Sequence, residues 1–268
     1  MPYFKSGASD LYYEEYGQGA PVVLLHGVGG NHASWFNQVP EFSRRHRTIV
    51  LDQRGFGNSE DAERTGCSAF MGDLLALLEL LGLARVFLIG QSMGGMTAGA
   101  FTARHPRRVA GVVIADSIAL RALPEPYATE LAELHAHNSS LSQQERVLGP
   151  KIRKESAELS LLYSQVASFN SVNLKTIRGE FPHWDCDSLA ATGVPVMFVA
   201  GEDDILFPPR LVRVAHERVS GSTFHVLPEA GHSAYFETPG VFNALVLAQL
   251  ETWVKEGRLS IAATAGRA

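Results

Sequence analysis

Cysteine is scarce in this sequence, and the two cysteines present are not arranged as a disulfide framework or a metal site. Cys67 and Cys186 lie far apart among the 268 residues. Because their spacing matches no zinc-binding or redox motif, we expect unpaired, reduced thiols. His-Glu-x-x-His and clustered Cys/His patterns are also missing from the sequence. This argues against a metal-dependent hydrolase and predicts no bound metal.

Long apolar runs and dense positive charge are absent as well. The longest apolar stretches, such as Val109 to Ala115, are too short to cross a bilayer, and residues 1–10 contain no apolar segment of signal-peptide length. The formal net charge is -5, without the dense Lys/Arg patch that nucleic-acid-binding proteins carry. We therefore expect a cytoplasmic protein that acts on a small-molecule substrate, with neither nucleic acid nor a membrane as partner.

Glycine-rich phosphate-binding signatures are incomplete. The segments that begin at Gly27 and at Gly55 both lack the third glycine of Gly-x-Gly-x-x-Gly, and no Gly-Lys-Ser/Thr phosphate loop occurs. The sequence therefore argues against a dinucleotide-binding fold. Together with the missing metal motifs, this predicts chemistry that needs no cofactor.

The sequence does contain a regular alternation of short apolar segments with helical patterns. The apolar segments are mostly β-branched and nearly continuous, which is typical of strands buried on both faces of a parallel sheet. Eight predicted strands lie near Tyr3 and at 11–16, 22–25, 48–51, 86–89, 109–115, 194–199 and 223–227. Predicted helices cover 35–45, 69–81, 92–104 and 239–256. This alternation predicts an α/β fold with a mostly parallel sheet and helices on both faces.

One long stretch interrupts the alternation. Residues 120–187 contain no convincing buried strand and instead show helical patterns, at 125–138, 142–148, 151–169 and 173–178. We interpret this stretch as a helical cap over the site, inserted into a core formed by residues 1–119 and 188–257. The small and polar residues 258–268 are expected to form a flexible tail.

The most informative motif is Gly90-Gln91-Ser92-Met93-Gly94, which follows a predicted strand and opens a predicted helix. In this setting Gly-x-Ser-x-Gly forms a nucleophile elbow, a sharp turn that lifts the serine oxygen above the sheet and needs glycine on both sides. The N-terminus of the following helix favours developing negative charge. We therefore predict that Ser92 is a catalytic nucleophile.

An activated serine needs a general base, here a histidine that a carboxylate orients. His232 follows the last predicted strand, and the carboxyl ends of strands are where open α/β sheets place functional groups. Glu202, Asp203 and Asp204 follow the preceding strand, which gives the chain order serine, acid, histidine expected with this elbow. Asp116, at the end of another predicted strand, is a fourth candidate for the acid.

Backbone N–H groups near the serine are expected to stabilise the oxyanion that its attack creates. The Met93 N–H directly follows the nucleophile, and the Val28 N–H belongs to the glycine-rich loop after the first buried strand. We expect His26 to hold this loop. Apolar side chains near these loops and in the cap are candidates for the substrate pocket, namely Trp35, Trp184, Leu206, Phe207 and Tyr235.

Together these motifs resemble the α/β-hydrolase superfamily. The resemblance rests on Leu-Leu-His-Gly at 24–27, Asp-Gln-Arg-Gly-Phe-Gly-Asn-Ser at 52–59, Gly-Gln-Ser-Met-Gly-Gly at 90–95, Gly-Glu-Asp-Asp at 201–204 and Gly-His at 231–232. It implies an α/β-hydrolase fold, with a mostly parallel eight-stranded sheet flanked by helices and a helical cap of variable sequence. In the family pattern the acid lies three residues after the glycine, which implies Asp204.

Within the superfamily, the chain looks most similar to small capped esterases, enol-lactonases and meta-cleavage carbon–carbon hydrolases. The resemblance implies hydrolysis of a small to medium carboxylic ester or lactone through an acyl-enzyme on Ser92, without a cofactor. The alternative is carbon–carbon cleavage of a vinylogous β-diketone, with Arg153, Lys175 or Arg178 of the cap as partners for a substrate carboxylate. Cofactor-free perhydrolase activity and a ligand receptor on the same fold are two further hypotheses.

Overall fold

The computed structural model of the protein describes residues 2–119 and 122–259. Its centre is a sheet of eight strands. In chain order, these are β1 (Tyr3–Ser6), β2 (Ser9–Tyr16), β3 (Ala20–Leu25), β4 (His46–Leu51), β5 (Val86–Gln91), β6 (Val109–Ala115), β7 (Val196–Gly201) and β8 (Thr223–Leu227). Each of them overlaps a strand predicted from the sequence, and β6 and β8 have the predicted bounds.

The strands lie in the order β1-β2-β4-β3-β5-β6-β7-β8 across the sheet. β2 pairs antiparallel with both β1 and β4, whereas the pairs that link β4, β3, β5, β6, β7 and β8 are all parallel. Because parallel strands point the same way, their carboxyl ends meet at one edge of the sheet. The turns that follow β3, β5, β7 and β8 at this edge bear the residues predicted for the site.

Helices cover both faces of the sheet. In chain order, they are α1 (Val39–Phe42), α2 (Phe70–Leu80), α3 (Met93–Arg104), α4 (Tyr127–Asn138), α5 (Gln143–Val147), α6 (Pro150–Glu155), α7 (Ala157–Ser168), α8 (Cys186–Ala190), α9 (Pro209–Arg218), α10 (Ala234–Glu237) and α11 (Pro239–Lys255). Alternate strand residues pack in separate core clusters, so Val22 faces α1 and α11 while Val23 faces α2, α3, α8 and α9. The predicted arrangement, with helices on both faces of the sheet, is confirmed.

The predicted helix over 35–45 is wrong. A short 3-10 helix (His32–Trp35) and the four-residue α1 occupy this region instead. The Asn31 side chain accepts a hydrogen bond from the Ala33 N–H and caps the 3-10 helix. Pro40 lies in the first turn of α1, where its missing N–H costs no hydrogen bond, whereas the interior of a longer helix would not tolerate it.

The helices between β6 and β7 differ in part from the predicted ones. α4 and α5 lie within the predicted ranges, but the predicted helix over 151–169 is divided into α6 and α7. Ser156 separates these two helices because its backbone angles, φ -136° and ψ 77°, are not helical. Residues 173–178 form turns rather than a helix. The sequence does not predict the short helices α8 and α10, or α9.

The described residues between β6 and β7 form helices, turns and loops, which matches the helical character predicted for 120–187. α8 crosses the predicted boundary at residue 187, and the bounds of a separate cap stay a prediction. Residues 260–268, which make up most of the predicted tail, lie outside the described residues, as do 120 and 121. Among residues 2–119 and 122–259, we find no helix with the length and apolar character that crossing a bilayer requires.

A buried ion pair joins Arg54, in the turn region after β4, to Asp73 in α2. The guanidinium donates two hydrogen bonds, of 2.9 and 2.6 Å, to the carboxylate, and both side chains are 2% exposed. Removing one partner of such a pair leaves a buried charge without full compensation. We expect Asp73→Asn to lower the free energy of unfolding by about 3 kcal/mol in urea denaturation.

The exposed ion pair between Asp187 and Arg218 provides the control for this prediction. Asp187→Asn should leave the urea midpoint nearly unchanged, because solvent already screens that pair. If Asp73→Asn shifted the midpoint no more than Asp187→Asn does, the buried pair would not have the stabilising role that its geometry indicates.

Candidate active site

Ser92 lies on the turn between β5 and α3, with φ 52° and ψ -117°. A residue other than glycine rarely adopts a positive φ, so the backbone is strained here. A Cβ at position 90 would lie 2.2 Å from the carbonyl oxygen of Gly94, and a Cβ at position 94 would lie 2.0 Å from the carbonyl oxygen of Leu25. Close backbone packing therefore requires both glycines of the Gly-x-Ser-x-Gly motif.

Gly94→Ala is expected to destabilise the protein by more than about 2 kcal/mol, because its new Cβ would force α3 away from β3. Thermal unfolding measures the effect. Gly72→Ala is a matched control in α2, since a Cβ at position 72 meets no atom within 4 Å. That control should stabilise the helix slightly, as alanine loses less entropy than glycine on folding. Equal melting temperatures for the two variants would contradict the packing described for the elbow.

His232 stands between Ser92 and Asp204. Its Nε2 atom is 2.8 Å from Ser92 Oγ, and its Nδ1 atom is 2.9 Å from Asp204 Oδ2. Because the carboxylate can only accept, Nδ1 bears the proton and Nε2 is left to accept the serine proton. His232 is 4% exposed and Asp204 is 3% exposed, whereas Ser92 is partly open to solvent. The three side chains form one continuous hydrogen-bond chain from the carboxylate to the serine oxygen.

Of the four acids that the sequence offers, Asp204 is the one in contact with the histidine. Its second oxygen, Oδ1, accepts two backbone N–H groups of the following turn, at 2.8 and 3.0 Å, and these bonds fix the carboxylate. Glu202 and Asp203 are exposed. Asp116 is buried, but its two oxygens accept backbone N–H groups.

Phe207 covers the ring of His232, with the two rings stacked and their centroids 5.6 Å apart. His135 of α4 contacts Phe207 edge-on at 5.1 Å, and its Nε2 atom lies 2.9 Å from the carbonyl oxygen of Leu206. Burial lowers the pKa of His135, so a neutral ring donates this hydrogen bond. The predicted pocket residues Leu206 and Phe207 are thus next to the histidine.

The glycine-rich loop after β3 packs directly against the elbow. A Cβ at position 27 would be 3.0 Å from Ser92 Cβ. Val28 follows in the same loop, and its side chain belongs to a small apolar cluster that contains Met93. In the part of the chain that the structure describes, neither the Val28 N–H nor the Met93 N–H donates a hydrogen bond to the protein. Both N–H groups are therefore candidates for binding an oxyanion.

His26 holds this loop in place. Its Nδ1 atom lies 2.8 Å from the carbonyl oxygen of Gly27, and its Nε2 atom accepts the Gln53 N–H at 3.0 Å. The Gln53 side chain donates in turn to the His26 carbonyl at 2.7 Å. Burial lowers the pKa of His26, which keeps the imidazole neutral and suited to donate from one nitrogen and accept at the other.

Three of the predicted pocket residues belong to the core instead. Trp35 and Tyr235 pack against each other with ring centroids 4.5 Å apart, and they are 0% and 1% exposed. Trp184 packs against α3, where a Cβ at position 99 would lie 2.4 Å from the indole nitrogen. These rings, like that of Phe207, expose 3% or less of their surface, so none of the four lines an open pocket in this structure, and their part in substrate binding stays a prediction. Large aromatic residues stabilise cores as readily as they line pockets.

Two further side chains fix the position of the histidine loop, and sequence reasoning did not single them out. Gln91 donates from Nε2 to the carbonyl oxygen of His232 at 2.6 Å. Glu237 Oε1 accepts the N–H groups of Gly231 and Ser233, at 3.1 and 3.2 Å. Gln91 is an amide at the end of an otherwise apolar buried strand, and this is the signal that could have identified it. Glu237 lies in a short helix without any motif, so the sequence gives no signal for it.

Segments between β6 and β7 contact the loops of the site. A Cβ at Gly29 would lie 2.5 Å from Tyr163 Oη, so α7 packs on the loop that contains Val28. A Cβ at Gly231 would lie 2.4 Å from the backbone nitrogen of Gly149, so the residues before α6 pack on the histidine loop. Asn138 of α4 donates to a carbonyl oxygen of the turn after β7, at 2.9 Å.

Comparison with known proteins identifies the family of this chain. The sequence model described as alpha/beta hydrolase fold matches residues 20–160. The chain belongs to the α/β-hydrolase fold family. The superfamily that the motifs indicate and the fold class predicted from them are therefore confirmed.

Individual relatives in the α/β-hydrolase family are named for several reactions. BpoC of Mycobacterium tuberculosis H37Rv, named as a non-heme bromoperoxidase, is 29% identical over 89% of this chain and 96% of BpoC. A 2-hydroxy-6-oxo-2,4-heptadienoate hydrolase of Pseudomonas putida F1 is 26% identical over 90% of this chain and 92% of its own length. The solved structure of Est816, described as an N-acyl homoserine lactone degrading enzyme, is 26% identical, with a TM-score of 0.77 over 92% of this chain and 99% of that one.

Proposed function

We propose that this α/β-hydrolase cleaves a small to medium carboxylic ester or lactone through an acyl-enzyme on Ser92. The continuous hydrogen-bond chain from Asp204 through His232 to Ser92 carries the proposal. The N–H groups of Val28 and Met93, which donate to no other group among residues 2–119 and 122–259, would supply the oxyanion donors that acyl transfer needs. The lactone activity in the description of Est816 supports the same bond type for this chain.

The reaction begins when Ser92 Oγ attacks the carbonyl carbon of the substrate. As the new C–O bond forms, the serine proton moves to His232 Nε2, and Asp204 stabilises the imidazolium through the proton on Nδ1. The carbonyl oxygen becomes an oxyanion that the N–H groups of Val28 and Met93 bind. Because these donors are fixed by the backbone, they need no reorganisation when the charge develops.

Collapse of this tetrahedral intermediate breaks the bond to the leaving oxygen, which takes the proton from His232. Water then attacks the acyl-enzyme while His232 accepts its proton, and the second collapse returns that proton to Ser92. Both half-reactions use the same nitrogen. The stacked ring of Phe207 limits the access of bulk water to His232 and so favours transfer between the reacting groups.

We infer that residues 120–187 act as a cap over this site. The contacts of Tyr163 with Gly29, of Gly149 with Gly231 and of Asn138 with the turn after β7 support this role. Since the cap touches the loops of the oxyanion site, the histidine and the acid, substrate size is expected to be limited by the space between it and the sheet edge.

The test is Ser92-dependent turnover of p-nitrophenyl acetate, p-nitrophenyl butyrate and an N-acyl homoserine lactone. We expect the wild-type protein and Ser168→Ala, an exposed serine at the end of α7, to release product from at least one of them. The relative rates for the two p-nitrophenyl esters measure the acyl chain that the site accepts. A folded wild-type protein that hydrolyses none of the three would contradict the proposal.

Carbon–carbon bond hydrolysis is the second candidate, and the similarity to the 2-hydroxy-6-oxo-2,4-heptadienoate hydrolase favours it. The same serine and histidine would then cleave a vinylogous β-diketone, with His232 assisting ketonisation. Such a substrate bears a carboxylate, but Arg153, Lys175 and Arg178, the cap cations considered for it, are all exposed. A higher kcat/KM for 2-hydroxy-6-oxo-2,4-heptadienoate than for every ester and lactone would favour this second function.

A further inference from the structure

Asp116 and Ser117 occupy a central position among the turns of the site. They directly follow β6, which lies between β5, the strand before Ser92, and β7, the strand before the Asp204 turn. Both residues are 0% exposed. They are polar side chains buried at the carboxyl edge of the sheet, and the mechanism described above does not use either of them.

The hydrogen bonds of these two residues reach three different turns. Asp116 Oδ1 accepts the N–H of Gly201 at 2.8 Å, three residues before Asp204. Asp116 Oδ2 accepts the N–H of Ala234 at 3.2 Å, two residues after His232. Ser117 Oγ donates to the carbonyl oxygen of Ser92 at 2.6 Å. One dipeptide thus contacts the serine turn, the acid turn and the histidine loop.

The backbone at Asp116 and Ser117 is also unusual. Asp116 has φ 48°, in the left-handed region that residues other than glycine rarely adopt, although aspartate tolerates it better than most. A Cβ at Gly95 would lie 2.6 Å from Ser117 Cβ, so α3 approaches Ser117 closely. Strained, closely packed backbone of this kind persists where the surrounding contacts hold it in place.

We propose that Asp116 and Ser117 are positioning residues that set the relative placement of Ser92, His232 and Asp204. They act through the backbone of the three turns and do not touch the substrate. The proposal rests on the proposed function for the identity of the groups that are positioned. It explains why a carboxylate is buried one strand away from the acid that holds the histidine.

The charges around Asp116 support a role in accepting hydrogen bonds rather than in supplying a second negative charge. The titratable groups that face it are Asp204, in the turn after β7, and Glu237 of α10, while His232 is bound to Asp204. Burial, and then the nearby charge of Asp204, raises the pKa of Asp116. An amide should therefore replace this carboxyl group better than a methyl group does.

The experiment compares Asp116→Ala, Asp116→Asn and Ser117→Ala with the wild type. We expect Asp116→Ala to lower the rate of Ser92 labelling by a fluorophosphonate, and kcat/KM for p-nitrophenyl acetate, by about 30- to 100-fold, because the triad is misplaced. Asp116→Asn keeps one acceptor oxygen but turns its NH2 group toward the other backbone N–H, and Ser117→Ala loses one hydrogen bond. Both variants should lower the two rates by at least about 3- to 10-fold. Asp73→Asn is the stability control, which should melt earlier and keep the wild-type rates.

Two readouts separate positioning from mere stabilisation. In Asp116→Ala the acid limb of the pH profile of kcat/KM should move to lower pH, because a loosened Asp204 stabilises the His232 imidazolium less. The downfield proton resonance of His232 Nδ1–H should weaken or move in the same variant. Wild-type rates, pH profile and resonance in Asp116→Ala, with only an earlier melting temperature, would overturn the proposal.

The same measurements distinguish failure of this inference from failure of the proposed function. If Ser92 of the wild-type protein is not labelled and the protein hydrolyses no ester, the serine-hydrolase mechanism is contradicted. The His232 resonance would still report whether Asp116 controls the contact with Asp204. If Asp116→Ala does not fold, the losses expected for Asp116→Asn and Ser117→Ala decide the question, and wild-type behaviour in both would overturn the proposal.

Discussion

Ser92→Ala is expected to lower kcat for ester hydrolysis by on the order of 10^4- to 10^6-fold, the scale of loss seen when an activated serine is removed. Alanine keeps the Cβ and the backbone of the elbow but has no oxygen to attack the carbonyl or to accept the bond to the acyl group. The proposed oxyanion donors at Val28 and Met93 remain, so a small residual rate over water is expected. Steady-state hydrolysis of p-nitrophenyl acetate measures the loss.

The control for this prediction is Ser168→Ala, because Ser168 is exposed and its hydroxyl donates to a carbonyl within its own helix, at 2.7 Å. It should hydrolyse esters at the wild-type rate. Ser92→Ala should melt near the wild-type temperature, which shows that lost activity is not lost folding. Retention of kcat within about 10-fold of wild type in Ser92→Ala would show that another group attacks the substrate.

Asp204→Asn is expected to have the second largest effect, a loss of kcat on the order of 10^4-fold. An asparagine amide at this position donates to His232 Nδ1 and so leaves the proton on Nε2. Nε2 is the atom 2.8 Å from Ser92 Oγ, and once protonated it cannot accept the serine proton. The side chains keep their positions, but His232 has its proton on the wrong nitrogen.

The neighbouring carboxylate supplies a matched control for this variant. Asp203 is exposed and one residue away, so Asp203→Asn changes the local charge by the same amount without touching His232. We expect its pH-rate profile to match that of the wild type. Equal losses in the two variants would mean that the net charge near the site matters, and not the hydrogen bond to Nδ1.

The sequence predicts a structural feature where one physical constraint determines which residues can form it. Buried parallel strands need nearly continuous apolar segments, so β6 is predicted at its observed bounds. The elbow needs glycine at positions 90 and 94 because backbone atoms lie within 2.2 Å of where a Cβ would be. These requirements leave a local signature, and so the fold, Ser92 and His232 could be placed without coordinates, whereas the choice of Asp204 among four acids depended on the family resemblance.

Other features have no comparable local signature. Trp35 and Tyr235 could equally have lined a pocket, since burial of an aromatic ring depends on its three-dimensional neighbours. Asp116 accepts the backbone N–H groups of Gly201 and Ala234, and Glu237 accepts that of Gly149, all from segments that are distant in sequence. No residue type is demanded at the donor end of such bonds. The break between α6 and α7 likewise occurs at Ser156, without a proline or glycine to mark it.

The most direct test of the central claim is a rapid-mixing experiment with p-nitrophenyl acetate, followed by acid quench and peptide mass analysis. An acyl-enzyme on Ser92 predicts a burst of p-nitrophenol close to one equivalent per protein, together with an acetyl group on the peptide that contains Ser92 and on no other peptide. If esters are turned over steadily without a burst, the acetyl group on the Ser92 peptide after the quench decides whether an acyl-enzyme forms. Turnover with neither a burst nor an acetyl group on Ser92 would contradict the acyl-enzyme mechanism.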